Sequence, residues 1–223
     1  MKNNIYAVIV TFFSVIFILT IIISTKLFVV PFTSNFFLPA GMLTYPLTFF
    51  LGNLVTEIYG KQSARFMVYV GFGIALFTHL LLSFVLAIPS SNPETQQAFE
   101  TVFSLNGLII FGSLSAYLIS QTLEISLFNS IKTLTNGKHL WLRNNVATFI
   151  SQLVDTFIAN WILLYIGMEL EVMQTLNIIM VCYLYKIILT IFSTPLFCSI
   201  VYFIKTYLSR SEQTLNNPAL AGI

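Results

Sequence analysis

Charged residues are scarce in this sequence. Asp, Glu, Lys and Arg together make up 8% of its 223 residues, whereas they make up about 25% of an average soluble domain. Hydrophobic residues account for 57%, and the mean hydropathy is +0.88. Because so few polar groups cannot cover a surface exposed to water, this composition excludes a soluble enzyme and leaves no room for a sizeable soluble domain.

Cysteine is rare as well, with only Cys182 and Cys198 in the chain. Both lie in the last apolar run, where a thiol usually packs as a small hydrophobic group. We therefore expect neither a disulfide nor a metal site. The sequence also contains no nucleotide-binding loop and no nucleophile beside an obvious base, so we expect no cofactor and no enzymatic activity.

Long apolar runs are the main feature that the sequence does have. A helix needs about 20 apolar residues to cross the hydrocarbon layer of a membrane. Six runs meet this length, with predicted turns at 31–35, 89–93 and 135–137. They are residues 5–29, 37–58, 66–88, 104–128, 146–166 and 176–204. We predict an all-α integral membrane protein, a bundle of six transmembrane helices in a single domain over 1–210, with a short cytoplasmic tail over 211–223 that frays.

Positive charge outside the centres of these runs falls on one side of the predicted bundle. The residues on this side are Lys2, Lys61, Arg65, Lys132, Lys138, Arg143, Lys205 and Arg210. Loops on the other side carry no Lys or Arg, and their acidic residues are Glu94, Glu100, Glu169 and Glu171. Since cytoplasmic loops of membrane proteins carry an excess of Lys and Arg, we expect both chain ends to face the cytoplasm.

Several ionisable residues lie inside the apolar runs, where a charge costs on the order of 2.5 to 3.5 kcal/mol on insertion scales. They are Lys26, Glu57, Glu124, Asp155 and Lys186. Residues with such a cost normally face protein or water and indicate a functional site. The alternative is that they only join helices through hydrogen bonds.

Two predicted helices repeat the pattern Ser-Gln-x-x-acid, at 120–124 and at 151–155. An amide and a carboxylate three residues apart lie on one face of a helix. We expect these two faces to converge with the polar faces of the second and sixth predicted helices. The result would be a polar cleft inside an otherwise apolar bundle.

Three other polar or helix-disrupting residues have competing interpretations. Glu57 either belongs to the cleft or pairs with Lys61, four residues later. Pro46 removes a backbone donor, so we expect a kink near Tyr45, which either exposes backbone groups to a substrate cavity or is satisfied by neighbouring helices. His79, midway along the third predicted helix, is more simply interpreted as a packed histidine than as a proton relay.

Several motifs follow one another in a recognisable order. Tyr-Pro-Leu-Thr-Phe at 45–49 precedes Asn-Leu-Val-Thr-Glu-Ile-Tyr-Gly at 53–60, and His-Leu-Trp-Leu-Arg-Asn lies at 139–144. Ser-Gln-Leu-Val-Asp-Thr at 151–156, Lys186 and Thr-Pro at 194–195 come later. Over residues 26–200 the sequence resembles the bacterial queuosine precursor transporter family, formerly called vitamin uptake transporters.

The resemblance implies a six-helix importer in the bacterial inner membrane that carries 7-deazaguanine compounds, such as preQ0, preQ1 or queuine, for tRNA modification. Its partners would be a small deazapurine and the lipid bilayer, without direct contact to nucleic acid, and a homo-oligomer is left open. A guanine-like base offers adjacent N–H donors to a carboxylate, and it accepts hydrogen bonds from amides or lysine. Tyr45, Phe49 or Tyr59 would stack on its ring. The residues expected to bind it are Tyr45, Asn53, Glu57, Gln121, Glu124, Gln152, Asp155 and Lys186.

Two positions depart from the family pattern. The family often has an acid where this chain has Asn53, and another just before Thr-Pro, where this chain has Ser193. Both differences remove a negative charge. They raise the alternatives that this chain carries a different deazaguanine or uses a different energy source.

Secondary transport is the leading interpretation, because the chain combines intramembrane polar residues with the absence of an ATP-binding domain. One alternative is the substrate-capture subunit of an ATP-driven vitamin importer, although the first predicted helix lacks the stripe of small residues that docking would need. Another is an intramembrane enzyme or a scaffold. An enzyme would need Glu57, Glu124, Asp155 and His79 to converge.

Overall fold

The structure is a computed structural model that describes residues 2–24, 26–29, 37–103 and 107–216. Within these ranges the chain is dominated by helices, which confirms the predicted all-α class. The predicted count of six transmembrane helices is not confirmed, because seven α-helices and four candidate membrane spans lie in the described ranges. The α-helices are α1 Lys2–Ile23, α2 Tyr45–Tyr59, α3 Lys61–Leu86, α4 Pro93–Phe103, α5 Gly107–Leu134, α6 Leu140–Asn160 and α7 Val172–Asn216. A 3-10 helix, Ala40–Leu43, precedes α2, and a π-helix, Trp161–Gly167, continues α6. Strands β1 Leu27–Val29 and β2 Phe37–Pro39 pair antiparallel, with Phe28 opposite Leu38.

Four helical stretches in the described ranges are long and apolar enough to cross a membrane. They are Asn3–Ile23, Lys61–Leu86, Leu140–Gly167 and Val172–Ser209. Large apolar side chains project outward from these helices, among them Phe77 and Phe84 on α3 and Phe192 on α7. A soluble monomer rarely exposes so much contiguous apolar surface, so these faces fit a lipid environment, and the chain is a multi-pass membrane protein.

The second predicted helix is shorter than expected. Residues 37–43 form a strand and a 3-10 turn, and α2 begins at Tyr45. Pro46 lies in the first turn of α2, where a missing N–H is one that a helix leaves unpaired anyway. The predicted kink at Tyr45 is therefore wrong, because Pro46 begins this helix instead of bending it. With 15 residues, α2 is about 22 Å long.

Other boundaries also differ from the predictions. The first helix ends at Ile23 rather than at residue 29. A helix, α4, occupies part of the predicted loop after residue 89, and the side chain of Asn92 caps it by accepting a hydrogen bond from the Glu94 N–H at 2.9 Å. Residues 211–216 continue α7 instead of fraying. The predicted turn at 31–35 and the end of the tail at 217–223 lie outside the described residues.

The helix packing brings the polar helices together. Helix α6 packs along α5 on one side and α7 on the other, and α2 contacts α3, α5 and α7. Between α1, α3 and α5 lies an apolar core in which the rings of Phe17 and Tyr117 stack with centroids 3.8 Å apart. The polar faces of α2, α5, α6 and α7 converge beside this core, as the sequence predicted.

The basic ends of the helices also meet. Tyr6 on α1 donates a hydrogen bond to the backbone oxygen of Ser63 on α3 at 2.9 Å. Lys132 at the end of α5 and Arg143 near the start of α6 lie on either side of Glu57, near the end of α2. Lys132 and Arg143 are therefore helical residues rather than the loop residues that the sequence predicted, and Arg143 is buried.

Candidate functional site

A buried polar layer crosses the bundle where α2, α5, α6 and α7 meet. Side chains three or four residues apart on each helix share the face that lines it. These buried residues are Thr48, Asn53, Ser120, Gln121, Glu124, Asn144, Thr148, Ser151, Gln152, Asp155, Thr156, Lys186 and Thr190. The layer brings together the two Ser-Gln-x-x-acid patterns, which confirms that they face each other.

Asp155 is held by three partners. The Lys186 Nζ atom lies 2.8 Å from Oδ2 of Asp155, which joins α7 to α6. The Tyr45 hydroxyl donates to Oδ1 at 2.5 Å, and the Ser120 hydroxyl donates to the same oxygen at 3.3 Å. Lys186 also lies 4.5 Å from the centroid of the Tyr45 ring, in a cation–π contact. The charge of Asp155 is therefore neutralised, and both of its oxygens are occupied.

Glu124 has fewer partners than Asp155. Its Oε1 atom accepts hydrogen bonds from Asn53 Nδ2 at 2.7 Å and from the Thr148 hydroxyl at 2.6 Å. Its Oε2 atom is buried without a hydrogen-bond partner. Among the described residues, no Lys, Arg or His forms an ion pair with Glu124. This carboxyl group can accept further donors.

Gln121 and Gln152 are fully buried, yet neither side-chain amide forms a hydrogen bond. The amide nitrogen and oxygen of both side chains lack hydrogen-bond partners. The Tyr117 hydroxyl, one turn before Gln121 on α5, is buried and unpaired in the same way. A polar group that is buried without a partner costs about 1–3 kcal/mol, so these amides and this hydroxyl are available to hydrogen-bond a bound molecule.

Gly52 lets α2 pass close to Gln121. A Cβ atom added at Gly52 would lie 3.0 Å from the Gln121 Oε1 atom. That distance is tighter than ordinary van der Waals contact, so any larger side chain at residue 52 would press on the Gln121 amide. The absence of a side chain at Gly52 therefore leaves room for the Gln121 amide.

A small cavity opens beside the polar layer. Its lining residues are Pro46, Phe49, Phe50, Asn53, Asn144, Thr148, Gln152, Thr190 and Ser193. Both positions that depart from the family pattern, Asn53 and Ser193, thus border the same space. The volume is about 10 Å³, which is room for about one water molecule. A second cavity, of about 30 Å³, lies between mostly apolar residues of α1, α3, α4 and α5, next to His79.

Glu57 lies apart from the layer, in a cluster of ions at the end of the bundle. Its Oε2 atom is 2.7 Å from Arg143 Nη2 and 3.0 Å from Lys132 Nζ, and its Oε1 atom pairs with Lys205. Arg143 also donates to the Gly137 backbone oxygen at 3.0 Å. Lys61, the partner considered from the sequence, is absent from the ion pairs that Glu57 forms with described residues. One acid therefore joins α2 to α5, α6 and α7.

Six of the eight predicted binding residues lie in the polar layer, Tyr45 contacts it through Asp155, and Glu57 lies outside it. Sequence reasoning missed the contributions of Tyr117, Asn144 and Thr148 to this layer. The spacing on α6 could have predicted Asn144 and Thr148, because they precede Gln152 by eight and four residues and therefore share its helix face. Among the described residues, no group of three or more His, Cys, Asp or Glu side chains could hold a metal ion.

Comparisons with known proteins identify a family that this sequence matches. Residues 39–200 match the putative vitamin uptake transporter family. A probable queuosine precursor transporter of Bacillus subtilis is 37% identical over 120 residues, which cover 53% of this chain and 52% of that protein. One of Haemophilus influenzae is 28% identical over 122 residues, covering 53% and 48%. The matches thus span about half the length of each relative, and no solved structure matches.

Proposed function

Since this chain belongs to the putative vitamin uptake transporter family, we propose that it imports a queuosine precursor, a 7-deazaguanine such as preQ0, preQ1 or queuine, by secondary transport for tRNA modification. The observation that carries this proposal is the set of buried, unpaired amide and carboxyl groups on α5 and α6. The names of the two relatives support the same substrate class.

The unpaired groups have the chemistry that a guanine-like base requires. Such a base offers a ring N–H and an amino group side by side, and one carboxylate can accept both. Its carbonyl and ring nitrogen accept hydrogen bonds from amide N–H groups. Glu124 supplies a free acceptor oxygen, and Gln121 and Gln152 each supply a free N–H₂ group and a free carbonyl.

Between the two acids, the contacts favour Glu124 as the substrate acceptor. Asp155 already binds Lys186, Tyr45 and Ser120, so a substrate would have to displace an ion pair to reach it. We assign Asp155 and Lys186 to holding α6, α7 and Tyr45 in place around the base. Glu57 belongs to the ionic cluster and takes no direct part in recognition.

The lining of the cavity indicates which aromatic side chain would stack on the base. Phe49 lines it, and the rings of Phe49 and Tyr45 are 5.2 Å apart between centroids. Tyr59 packs instead against Tyr6, with centroids 5.1 Å apart. Phe49 is therefore the ring that stacks on the base, a contact worth about 1–3 kcal/mol, while Tyr45 flanks it.

In our proposal, this packing of the helices represents a closed state of the transporter. A pocket for a small molecule usually measures at least about 300 Å³, far more than the 10 Å³ beside Asn53. Import therefore requires helices around the layer to separate, and the ionic cluster at Glu57 closes the basic end of the bundle. In our proposal this end faces the cytoplasm, the chain crosses the bacterial inner membrane six times as one domain, and the protein requires no cofactor.

The test is uptake in bacteria that lack their own route to queuosine. Cells carrying this chain are supplied with preQ0, preQ1 or queuine, and queuosine in tRNA is measured. Rescue by one compound establishes transport and identifies the substrate. Absence of rescue by all three, with the protein detected in the membrane, overturns the proposal.

Two further arms make the test specific. Glu124→Gln keeps the size and the hydrogen bonds of Oε1 but removes the charge, and it should lower uptake at least about tenfold, since a hydrogen bond to a charged group contributes about 1.5–3 kcal/mol. Uptake by the purified chain in lipid vesicles distinguishes a transporter from the capture subunit of an ATP-driven importer, which would need its partners.

A further inference from the structure

The hydroxyl group of Tyr117 on α5 is buried and unpaired. Only 1% of the residue is exposed, and the hydroxyl has no hydrogen-bond partner among the described residues, although a buried tyrosine hydroxyl usually has one. The ring is held against α1, because it stacks on Phe17 with centroids 3.8 Å apart and lies 6.4 Å from the ring of Phe13. The hydroxyl therefore has a fixed position and can still form a hydrogen bond.

The polar layer between α5 and α6 has two ends. At one end the Thr148 hydroxyl donates to Glu124 Oε1 at 2.6 Å. At the other end the Ser120 hydroxyl lies 3.3 Å from Asp155 Oδ1. Residue numbers rise along α5 in the direction in which they fall along α6, so the two helices are antiparallel. The unpaired glutamine amides lie between the two ends.

Tyr117 belongs to the Asp155 end of the layer. The Ser120 hydroxyl that reaches Asp155 also lies 3.0 Å from the Tyr117 backbone oxygen. Tyr117, Gln121 and Glu124 are four and three residues apart, so they share one face of α5. The carboxyl groups of Asp155 and Glu124 both act electrostatically on the Tyr117 hydroxyl. The hydroxyl thus faces the layer, and its helical position is about 10 Å from that of Glu124 along the axis.

The proposed orientation of the substrate directs the far end of the base toward Tyr117, and this step rests on the proposed function. Glu124 accepts the ring N–H and the amino group, which both belong to the six-membered ring. The five-membered ring then points toward the Asp155 end. This ring carries the substituent by which the precursors differ, which is a nitrile in preQ0, an aminomethyl group in preQ1 and a larger substituted amine in queuine.

We propose that the Tyr117 hydroxyl hydrogen-bonds the substituent on the five-membered ring and selects the neutral nitrile of preQ0. A hydroxyl donates one hydrogen bond, and a nitrile nitrogen is an uncharged acceptor. The amines of preQ1 and queuine are cations at neutral pH. Since Asp155 already pairs with Lys186 at this end, an added cation would be buried without a counter-charge of its own, which is strongly destabilising.

Tyr117→Phe tests this contact, because it removes the hydroxyl and keeps the ring that stacks on Phe17. Uptake of labelled compounds is measured in lipid vesicles that contain the purified full-length protein. Uptake of preQ0 should fall at least about threefold, the effect of one neutral hydrogen bond. Uptake of unsubstituted 7-deazaguanine should not change. An equal loss for both compounds, or no loss for preQ0, overturns the inference.

Tyr183→Phe is the matched control. The half-buried Tyr183 hydroxyl donates to the Phe149 backbone oxygen at 3.1 Å and joins α7 to α6. Its removal should lower the melting temperature and leave the ratio of preQ0 uptake to 7-deazaguanine uptake unchanged. Tyr117→Phe should change this ratio without lowering the melting temperature, because its hydroxyl has no hydrogen bond to lose. A lower melting temperature with an unchanged ratio would make Tyr117 a structural residue and overturn the inference.

Binding to the purified protein tests the choice of the nitrile. The melting temperature in detergent is measured with preQ0, preQ1 and unsubstituted 7-deazaguanine at equal concentrations. In the wild-type protein preQ0 should raise it most, because only preQ0 offers the Tyr117 hydroxyl an uncharged acceptor. In Tyr117→Phe, preQ0 and unsubstituted 7-deazaguanine should raise it equally. A larger rise with preQ1 than with preQ0 in the wild-type protein overturns the inference.

Uptake by the wild-type protein separates this inference from the proposed function. Equal uptake of preQ0, preQ1 and unsubstituted 7-deazaguanine overturns the inference and leaves the transporter intact. Preferential uptake of preQ0 that is lost in Tyr117→Phe supports both. Uptake of none of the three compounds contradicts the proposed function, and the inference that rests on it.

Discussion

Lys186 on α7 and Asp155 on α6 form a buried ion pair, with Nζ 2.8 Å from Oδ2. Both side chains are almost fully enclosed, and the pair belongs to the same polar layer as the unpaired amides of Gln121 and Gln152. The ion pair is therefore saturated while its neighbours are free. Residues with paired polar groups therefore position the site, whereas residues with unpaired polar groups are available to bind a substrate.

Asp155→Asn should destabilise the protein by about 3–5 kcal/mol, because it leaves the Lys186 charge buried without a partner. The double variant Asp155→Asn with Lys186→Met removes both charges and should recover most of this loss. Thermal unfolding in detergent measures both effects. A double variant that is no more stable than the single one would contradict the assignment of Asp155 as a positioning residue.

Gln121→Leu and Gln152→Leu should leave the stability unchanged or raise it. Each replaces an amide that has no hydrogen-bond partner with an apolar group of similar volume, which removes a desolvation penalty of about 1–3 kcal/mol. Uptake should fall at the same time, since these amides recognise the base. Thermal unfolding and uptake are measured on the same preparations, and a loss of stability in either variant would show that the amide is structural.

Glu57→Gln should be strongly destabilising, by about 3–5 kcal/mol, because it leaves buried Arg143 without its counter-charge. Lys205→Ala should have a smaller effect, since 52% of the Lys205 side chain is exposed and exposed ion pairs contribute only about 0–1 kcal/mol. Lys61→Ala serves as the control, because Lys61 is not a partner of Glu57 in the described cluster. The melting temperatures of the three variants should follow this order.

Gly52→Ala should lower uptake more than it lowers stability. The added methyl group would lie 3.0 Å from Gln121 Oε1 and press on the amide that recognises the base. Gly73→Ala is the matched control, because a Cβ atom at Gly73 meets no other atom within 4 Å. Membrane abundance and uptake are compared for both variants, and equal uptake would show that Gln121 moves aside freely.

The sequence predicted the composition of the site better than its organisation. The repeated Ser-Gln-x-x-acid pattern placed Gln121, Glu124, Gln152 and Asp155 on two facing helices, because residue spacing alone determines which side chains share a helix face. It treated Glu124 and Asp155 as equivalent. The position of α7 places Lys186 beside Asp155 and not beside Glu124. The spacing of residues along the chain cannot predict this pairing.

The same distinction applies to Glu57 and Pro46. The sequence identified Lys61 as a partner for Glu57 because four residues separate them, but the partners in the structure come from α5, α6 and α7, as many as 148 residues away. Pro46 was expected to bend a helix, and it begins one instead, because the residues before it pair as a strand and then form a 3-10 turn.

The sequence by itself determined that this protein lies in a membrane, because its composition cannot form a surface for water. It also determined which residues carry the polar chemistry, because each buried ionisable group needs a partner or a ligand. Only the tertiary structure decided which of these groups satisfy one another and which remain free. Whether a polar group is paired or free depends on contacts between helices that are distant in sequence. This difference distinguishes a structural ion pair from a binding site.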